Sequence, residues 1–179
     1  MILDEIVDGV MGAAYPLIRD ELELDYVQVG LLLTIPNTVS SVIEPIFGVL
    51  GDFGTRRLLI LGGGIGFAAA LVLIALSHQF WSLLVALVLF YPASGAFVNL
   101  SQATLMDLQP HRHEANMARW ALAGSMGNAM APLVLAGALT LNQSWRNVFL
   151  SLAALTLCLS SLTLFYHSRQ SIIKGDRKN

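Results

Sequence analysis

Carboxyl groups within long apolar stretches are the feature of this sequence most able to do chemistry. Glu44 lies in an apolar run that ends near Asp52, while Glu5 and Asp8 lie in an earlier run that ends near Arg19. On a helix, Glu44 would lie about 12 Å from Asp52, and Asp8 about 16 Å from Arg19. Because an ionised carboxyl inside a bilayer costs roughly 2.5 to 3.5 kcal/mol, such groups are usually paired, protonated or turned to a wet cavity. They could exchange protons or recognise a cation.

Two interpretations of these acids stay open. Glu44 either exchanges a proton as a cavity opens and closes, or is a structural carboxyl bonded to a neighbouring helix or to backbone freed by Pro45. Glu5 and Asp8 either take part in coupling or recognition, or the acids nearest the chain start, Asp4 and Glu5, simply lie at the membrane surface.

Three side-chain amides lie in apolar stretches further along the chain. They could contact a solute, or they could join helices by hydrogen bonds worth about 0.6 kcal/mol each on average. Both interpretations stay open, with the structural one slightly favoured. The three are Asn99, Gln102 and Asn128.

The elements that must position these groups are membrane helices. With 55% hydrophobic and 12% charged residues among 179, the chain is too apolar for an ordinary soluble domain. About 20 helical residues cross a bilayer core of roughly 30 Å, and backbone groups in lipid require helices or closed barrels. We therefore predict an all-α bundle over residues 1–166, followed by a polar tail at 167–179. The six predicted spans are 1–18, 26–50, 58–77, 81–106, 118–141 and 147–166.

The basic residues predict the orientation of these spans. If the tail is inside, eight of the ten Lys and Arg residues lie on the inner side, which favours both termini in the cytoplasm of a plasma (inner) membrane. The outer side holds Arg19 and Arg146. The inner side holds Arg56, Arg57, Arg112, Arg119, Arg169, Lys174, Arg177 and Lys178.

Helix polarity follows one order twice. A polar span, an intermediate span and an almost wholly apolar span occur in that order in spans one to three and again in spans four to six, as expected for inverted three-plus-three repeats that turn some helices to a cavity and others to lipid. The repeat is suggested by polarity alone.

The link between the second and third spans carries an acid and two arginines. Gly48, Asp52, Arg56 and Arg57 resemble, in type and spacing, the signature loop between helices two and three of the major facilitator superfamily of secondary transporters. Glycine occurs at Gly54, one place earlier than usual. So short a link between spans predicts a tight hairpin.

The resemblance extends over the whole chain. Residues 8–16 and 24–30 look like the first helix and second-helix entry of drug-efflux members of the fosmidomycin-resistance type, and residues 124–132 resemble a fifth-helix motif linked with proton-driven export. This resemblance implies a proton-coupled transporter that works by alternating access, with a cavity lined by helices one, two, four and five. It also implies a cytoplasmic gate made by the signature-loop residues, with Asp107 as a partner.

The same resemblance implies the partners. They are the lipid bilayer, a small-molecule substrate, protons and a second six-helix half, because family members have twelve spans; no nucleic acid, metal, cofactor or enzymatic activity is expected. The sequence predicts that upstream residues and the second half are missing from this chain; the alternative is that another chain or self-association supplies that half. By itself this half should not transport.

Two alternatives come from other classes of protein. One is a non-transporting membrane assembly subunit. The other is an intramembrane serine protease with Ser94 and His167, which is disfavoured because His167 falls at the membrane edge, about 20 Å along the helices from Ser94.

Overall fold

The computed structural model of the protein describes residues 2–108 and 110–176, with side chains up to residue 161 except those at 108–110. The described residues form α-helices joined by short turns, which confirms the predicted all-α class. A kinked segment, Gly51–Thr55, joins α2 to α3, and we call it the α2–α3 link. The helices are α1 (Ile2–Glu21), α2 (Tyr26–Leu50), α3 (Arg56–Leu76), α4 (Phe80–Leu108), α5 (His113–Thr140) and α6 (Trp145–Asp176).

Three helical segments of the described residues are long and apolar enough to cross a membrane. They are Tyr26–Leu76, which contains α2, the link and α3, and the segments Phe80–Asp107 and His113–Thr140. The six spans and the inverted repeat therefore remain predictions. At the chain end, α6 continues to Asp176, into the segment predicted as a polar tail, because no proline interrupts it.

The α2–α3 link is a kink between two helices. Within it, Gly54 has φ 86°, in the left-handed region that favours glycine. The chain therefore leaves helical geometry at Phe53 and Gly54. We call this end of the bundle the link end, and the end that holds the turns at residues 22–25 and 141–144 the far end.

The helices pack in two groups. α1 packs closely on α5, whereas α4 packs on both α2 and α3, and α3 also packs on α6. Within the second group, the rings of Phe67 and Phe90 stack with centroids 5.1 Å apart. One face of α1 is fully buried, with the spacing of an amphipathic helix: Val7, Val10, Met11, Ala14 and Ile18.

Glycines allow the closest helix contacts. A Cβ at Gly127 of α5 would lie 2.7 Å from the Ile2 carbonyl oxygen, and one at Gly9 of α1 would lie 2.5 Å from the Ala131 Cβ. Between α3 and α4, a Cβ at Gly63 would lie 2.8 Å from the backbone nitrogen of Phe97. Small residues at such crossings let membrane helices approach each other and gain van der Waals contact.

Candidate functional site

A cavity of about 200 Å³ between α1, α2 and α4 gathers most of the carboxyl groups that the sequence analysis singled out. We call it the acidic cavity. It brings together Glu5, Asp8, Glu44 and Asn99, although Glu44 and Asn99 are far from the first two in sequence. Its lining residues are Asp4, Glu5, Asp8, Glu44, Phe90, Tyr91, Ser94, Gly95, Val98 and Asn99.

Glu44 is held between α2 and α4 by two side-chain donors. Ser40, one turn earlier on α2, donates a 2.6 Å hydrogen bond to Oε1 of Glu44. Asn99 of α4 donates to Oε2 through Nδ2 over 3.1 Å. Glu44 thus bonds a neighbouring helix, as expected of a structural carboxyl, and also lines a cavity, as expected of a carboxyl that exchanges protons. The structure is compatible with both interpretations.

The three acids of α1 meet different partners. Asp4 accepts a 2.5 Å hydrogen bond from the Ser94 hydroxyl on α4, and Glu5 accepts a 3.4 Å bond from Asn128 on α5. No hydrogen bond of the described residues involves the Asp8 side chain, which lines the acidic cavity beside Tyr91. Asp4 and Asp8 therefore face α4 across the cavity, while Glu5 reaches toward α5.

Two of the predicted amides lie outside the cavity lining. Asn128 contacts the cavity only through Glu5, and its position depends on the close α1–α5 approach at Gly127. Gln102 points toward the start of α5, where Nε2 lies 3.3 Å from the sulfur of Met117. Among the predicted amides, Asn99 is therefore the one that lines the acidic cavity.

A cluster of opposite charges lies at the link end of the bundle. The Arg56 guanidinium pairs with Asp107 at the end of α4, and its Nη2 lies 3.2 Å from Oδ1 of Asp52 in the α2–α3 link. We call these three residues the inner charge cluster. The hydrogen bond that Arg56 donates to Asp107 is the main reason that the pKa of Arg56 is raised above its ordinary value. One arginine therefore joins the link, α3 and α4.

The other two residues of the signature loop have fewer neighbours. Arg57 is exposed and takes part in no ion pair within the part of the chain that the structure describes. A Cβ at Gly48 would meet nothing within 4 Å, whereas one at Gly51 would lie 3.0 Å from the Leu100 side chain. The close approach of the link to α4 therefore depends on Gly51, which the sequence analysis did not single out.

A second charge cluster, at the far end, was also missed. Arg146 at the start of α6 donates to Oε1 of Glu21 on α1 at 3.1 and 3.0 Å, and to the carbonyl oxygens of Ala75 and Ser77 at 2.6 and 2.5 Å. Trp145 donates a 2.5 Å bond to the same carboxylate. We call Glu21, Trp145 and Arg146 the Arg146 clamp. It joins α1 and α6 to the free carbonyl groups at the end of α3.

The remaining candidates carry less chemistry. Ser94, the nucleophile that a protease would need, is bonded to Asp4, and the side chain of His167 lies outside the described residues. The described residues form no group of His, Cys, Asp and Glu side chains that could hold a metal ion. Within the described part of the chain, the acidic cavity is therefore the site best suited to bind protons or a charged ligand.

Known proteins resemble this chain along most of its length. The sequence profile of the Major Facilitator Superfamily matches residues 1–177. The fosmidomycin resistance protein of Escherichia coli K12 is 24% identical over 179 residues, which cover 99% of this chain and 44% of that protein.

Other relatives are multidrug resistance proteins MdtG. The protein from Yersinia enterocolitica is 27% identical over 156 residues, covering 84% of this chain and 36% of the relative. The protein from Citrobacter koseri is 29% identical over 173 residues, covering 87% of this chain and 41% of the relative. The chain spans less than half the length of these relatives, and the resemblance first seen around the signature loop is confirmed. By this match along almost its whole length, the chain belongs to the Major Facilitator Superfamily.

Proposed function

We propose that this chain forms one half of a secondary transporter that exports a small solute across the plasma (inner) membrane in exchange for protons. The acidic cavity carries the proposal, because four carboxyl groups of α1 and α2 line a volume of about 200 Å³. Carboxylates so close together repel one another, and binding of either protons or a cation relieves that repulsion. Protons and a cationic solute therefore compete for the same groups, which is the coupling that exchange requires.

The inner charge cluster supports the alternating-access part of the proposal. Arg56 joins the α2–α3 link to α4 through exposed acids, so the pairs are accessible to water and inexpensive to break. Asp52, Arg56 and Asp107 act as a cytoplasmic latch that breaks and re-forms as the cavity changes sides. Gly48 and Arg57 complete the signature loop without sharing those contacts.

A second six-helix half completes the transporter. The chain covers 44% of the fosmidomycin resistance protein, and alternating access needs one bundle to move against another. In this proposal the chain has six spans in a three-plus-three repeat and both termini in the cytoplasm, and its acidic cavity faces the second half. That half supplies the opposite wall.

The names of the relatives and the negative charge of the acidic cavity indicate different classes of solute. One relative is named for fosmidomycin resistance and others for multidrug resistance. The acidic cavity favours a cationic molecule over an anionic one, since Asp4, Glu5, Asp8 and Glu44 all line it. We therefore propose a lipophilic organic cation as the preferred solute class.

Binding of ethidium, a permanent cation, to the chain in lipid nanodiscs tests the proposal. Fluorescence anisotropy should show binding that weakens as the pH falls, because protons compete for the carboxyls. Asp8→Asn and Glu44→Gln should weaken binding and flatten its pH dependence, whereas Glu114→Gln, which changes an exposed acid outside the cavity, should not. Equal binding by all four proteins, or binding that ignores pH, would contradict the proposal.

Transport needs both halves. The chain fused to the C-terminal half of the Escherichia coli fosmidomycin resistance protein should lower ethidium accumulation in a strain without efflux pumps, and the Asp8→Asn fusion should not. A parallel assay of growth on fosmidomycin tells whether the cavity accepts that compound as well. Ethidium accumulation that is the same with the wild-type fusion and with an empty vector would count against transport by this bundle.

A further inference from the structure

The side chain of Glu44 lies directly over Gly95 of α4. A Cβ added at Gly95 would lie 2.6 Å from Cδ of Glu44 and 2.7 Å from both Cγ and Oε1. Real Cβ atoms do not come so close to other heavy atoms, so a residue with a side chain at position 95 would displace the carboxyl group. The space that Glu44 occupies exists because position 95 is glycine.

Two donors fix the carboxyl in this space. On α2, Ser40 lies one helical turn before Glu44, and on α4, Asn99 lies one helical turn after Gly95. Each donor therefore lies on the same helix face as the residue one turn away. Ser40 is buried, with 3% of its surface exposed, and donates to Oε1, while Asn99 donates to Oε2. We call Ser40, Glu44, Gly95 and Asn99 the Glu44 niche.

We propose that Gly95 is a positioning residue that holds the Glu44 carboxyl against α4, at the wall of the acidic cavity and out of its open volume. The inference rests on the proposed function, in which the open volume receives the solute. A methyl group at position 95 would push the carboxyl off both donors and into that volume. The amount of space and negative charge that a solute meets therefore depends on this glycine.

The obstacle at Gly95 differs from that at Gly63. At Gly63 an added Cβ would meet the backbone of α4, 2.8 Å from the Phe97 nitrogen and 3.0 Å from the Ala93 oxygen. Backbone atoms in a packed helix cannot move aside, whereas the end of the Glu44 side chain can rotate. Gly95→Ala should therefore leave the bundle folded and change only the position of one carboxyl group.

Carboxyl labelling with a water-soluble carbodiimide and an amine tests the inference. The purified chain in lipid nanodiscs is labelled, and mass spectrometry of its peptides gives the ratio of labelling at Glu44 to labelling at Asp8. Gly95→Ala should raise this ratio several-fold. Ser40→Ala should raise it less, because it removes one donor and adds no volume.

Two comparisons make the result decisive. Gly30→Ala adds a methyl to α2 where nothing lies within 4 Å, and it should leave the ratio unchanged. Labelling of Asp4, bonded to Ser94, reports loosening of the bundle and should also stay constant. A Gly95→Ala ratio equal to that of Gly30→Ala overturns the inference, and so does a rise at Asp4 that matches the rise at Glu44.

The labelling requires no solute and no transport. If Gly95→Ala leaves Glu44 labelling unchanged while ethidium binding keeps its pH dependence, the niche inference fails and the proposed function stands. If labelling changes as expected while ethidium does not bind, the proposed function fails and Gly95 still positions Glu44.

Discussion

Removal of Arg146 should destabilise the bundle more than removal of any surface arginine, because this side chain joins three helices. Its side chain is 15% exposed, and that of its partner Glu21 is 45% exposed. It makes two hydrogen bonds to the carboxylate and two to backbone carbonyls of Ala75 and Ser77. Arg146→Ala leaves the carboxylate and both carbonyls without these bonds.

The expected loss follows from these contacts. Breaking a buried ion pair costs about 3 to 5 kcal/mol, and partial exposure of Glu21 places Arg146→Ala near the lower end, at about 3 kcal/mol. Glu21→Gln keeps an acceptor for Trp145 and Arg146 but loses the charge, so about 1 kcal/mol is expected. Arg19→Ala is the control, because Arg19 is more exposed and lies 3.8 Å from Asp20; it should cost under about 1 kcal/mol.

The clamp also predicts a dependence on pH. Burial tends to raise the pKa of Glu21, but the hydrogen bonds from Trp145 and Arg146 outweigh burial and lower it below the ordinary value of 4.5. A carboxyl with a lowered pKa in the folded state stabilises the fold above its ordinary pKa. This contribution is lost as the pH falls through the lower, folded-state pKa.

Unfolding in mixed micelles of dodecylmaltoside and dodecyl sulfate gives the free energy of unfolding for each variant at neutral and acid pH. The difference between wild type and Glu21→Gln should shrink at acid pH, where Glu21 is protonated. If Arg146→Ala costs no more than Arg19→Ala, or if the Glu21→Gln difference is independent of pH, the reasoning about the clamp is refuted.

Four further substitutions test the link end and the α3–α4 contact. Asp52→Asn and Asp107→Asn should increase labelling of the acidic cavity from the cytoplasmic side, because each removes a partner of the inner charge cluster; unchanged labelling would contradict a latch. Gly54→Ala should cost about 1 to 2 kcal/mol of unfolding free energy, because a side chain disfavours the left-handed conformation. Gly63→Ala should cost about 1 to 3 kcal/mol by overpacking α4. Gly48→Ala, with open space at its Cβ, is the control for both glycine variants in the same unfolding assay, and losses no larger than its own would contradict either one.

Much of the candidate site could be predicted from the sequence, since a carboxyl group in an apolar run is conspicuous and expensive to expose to lipid. Glu5, Asp8 and Glu44 do line one cavity. Asp107 was suggested as a partner of the signature loop by resemblance, and it pairs with Arg56.

The residues that were missed depend on contacts between distant parts of the chain. In the sequence, Gly95 resembles the other small residues of α4. Its role in making space for Glu44, more than fifty positions earlier, is visible only in the folded structure. Arg146 contributed only to the count of outer charges, although an arginine beside Trp145 at the start of an apolar run is a signal that could have prompted a search for a partner. Its partner Glu21 lies 125 positions away.

The grouping of helices has a mechanical consequence. α1 packs mainly on α5, whereas α4 packs on α2 and α3, and α3 packs on α6, so the acidic cavity lies where the two groups of helices meet. The Arg146 clamp joins the two groups at the far end through Glu21. A shift of one group of helices relative to the other would therefore change the distance of Glu5 and Asp8 from Glu44, and both the Asp4–Ser94 hydrogen bond and the Arg146 clamp resist such a shift.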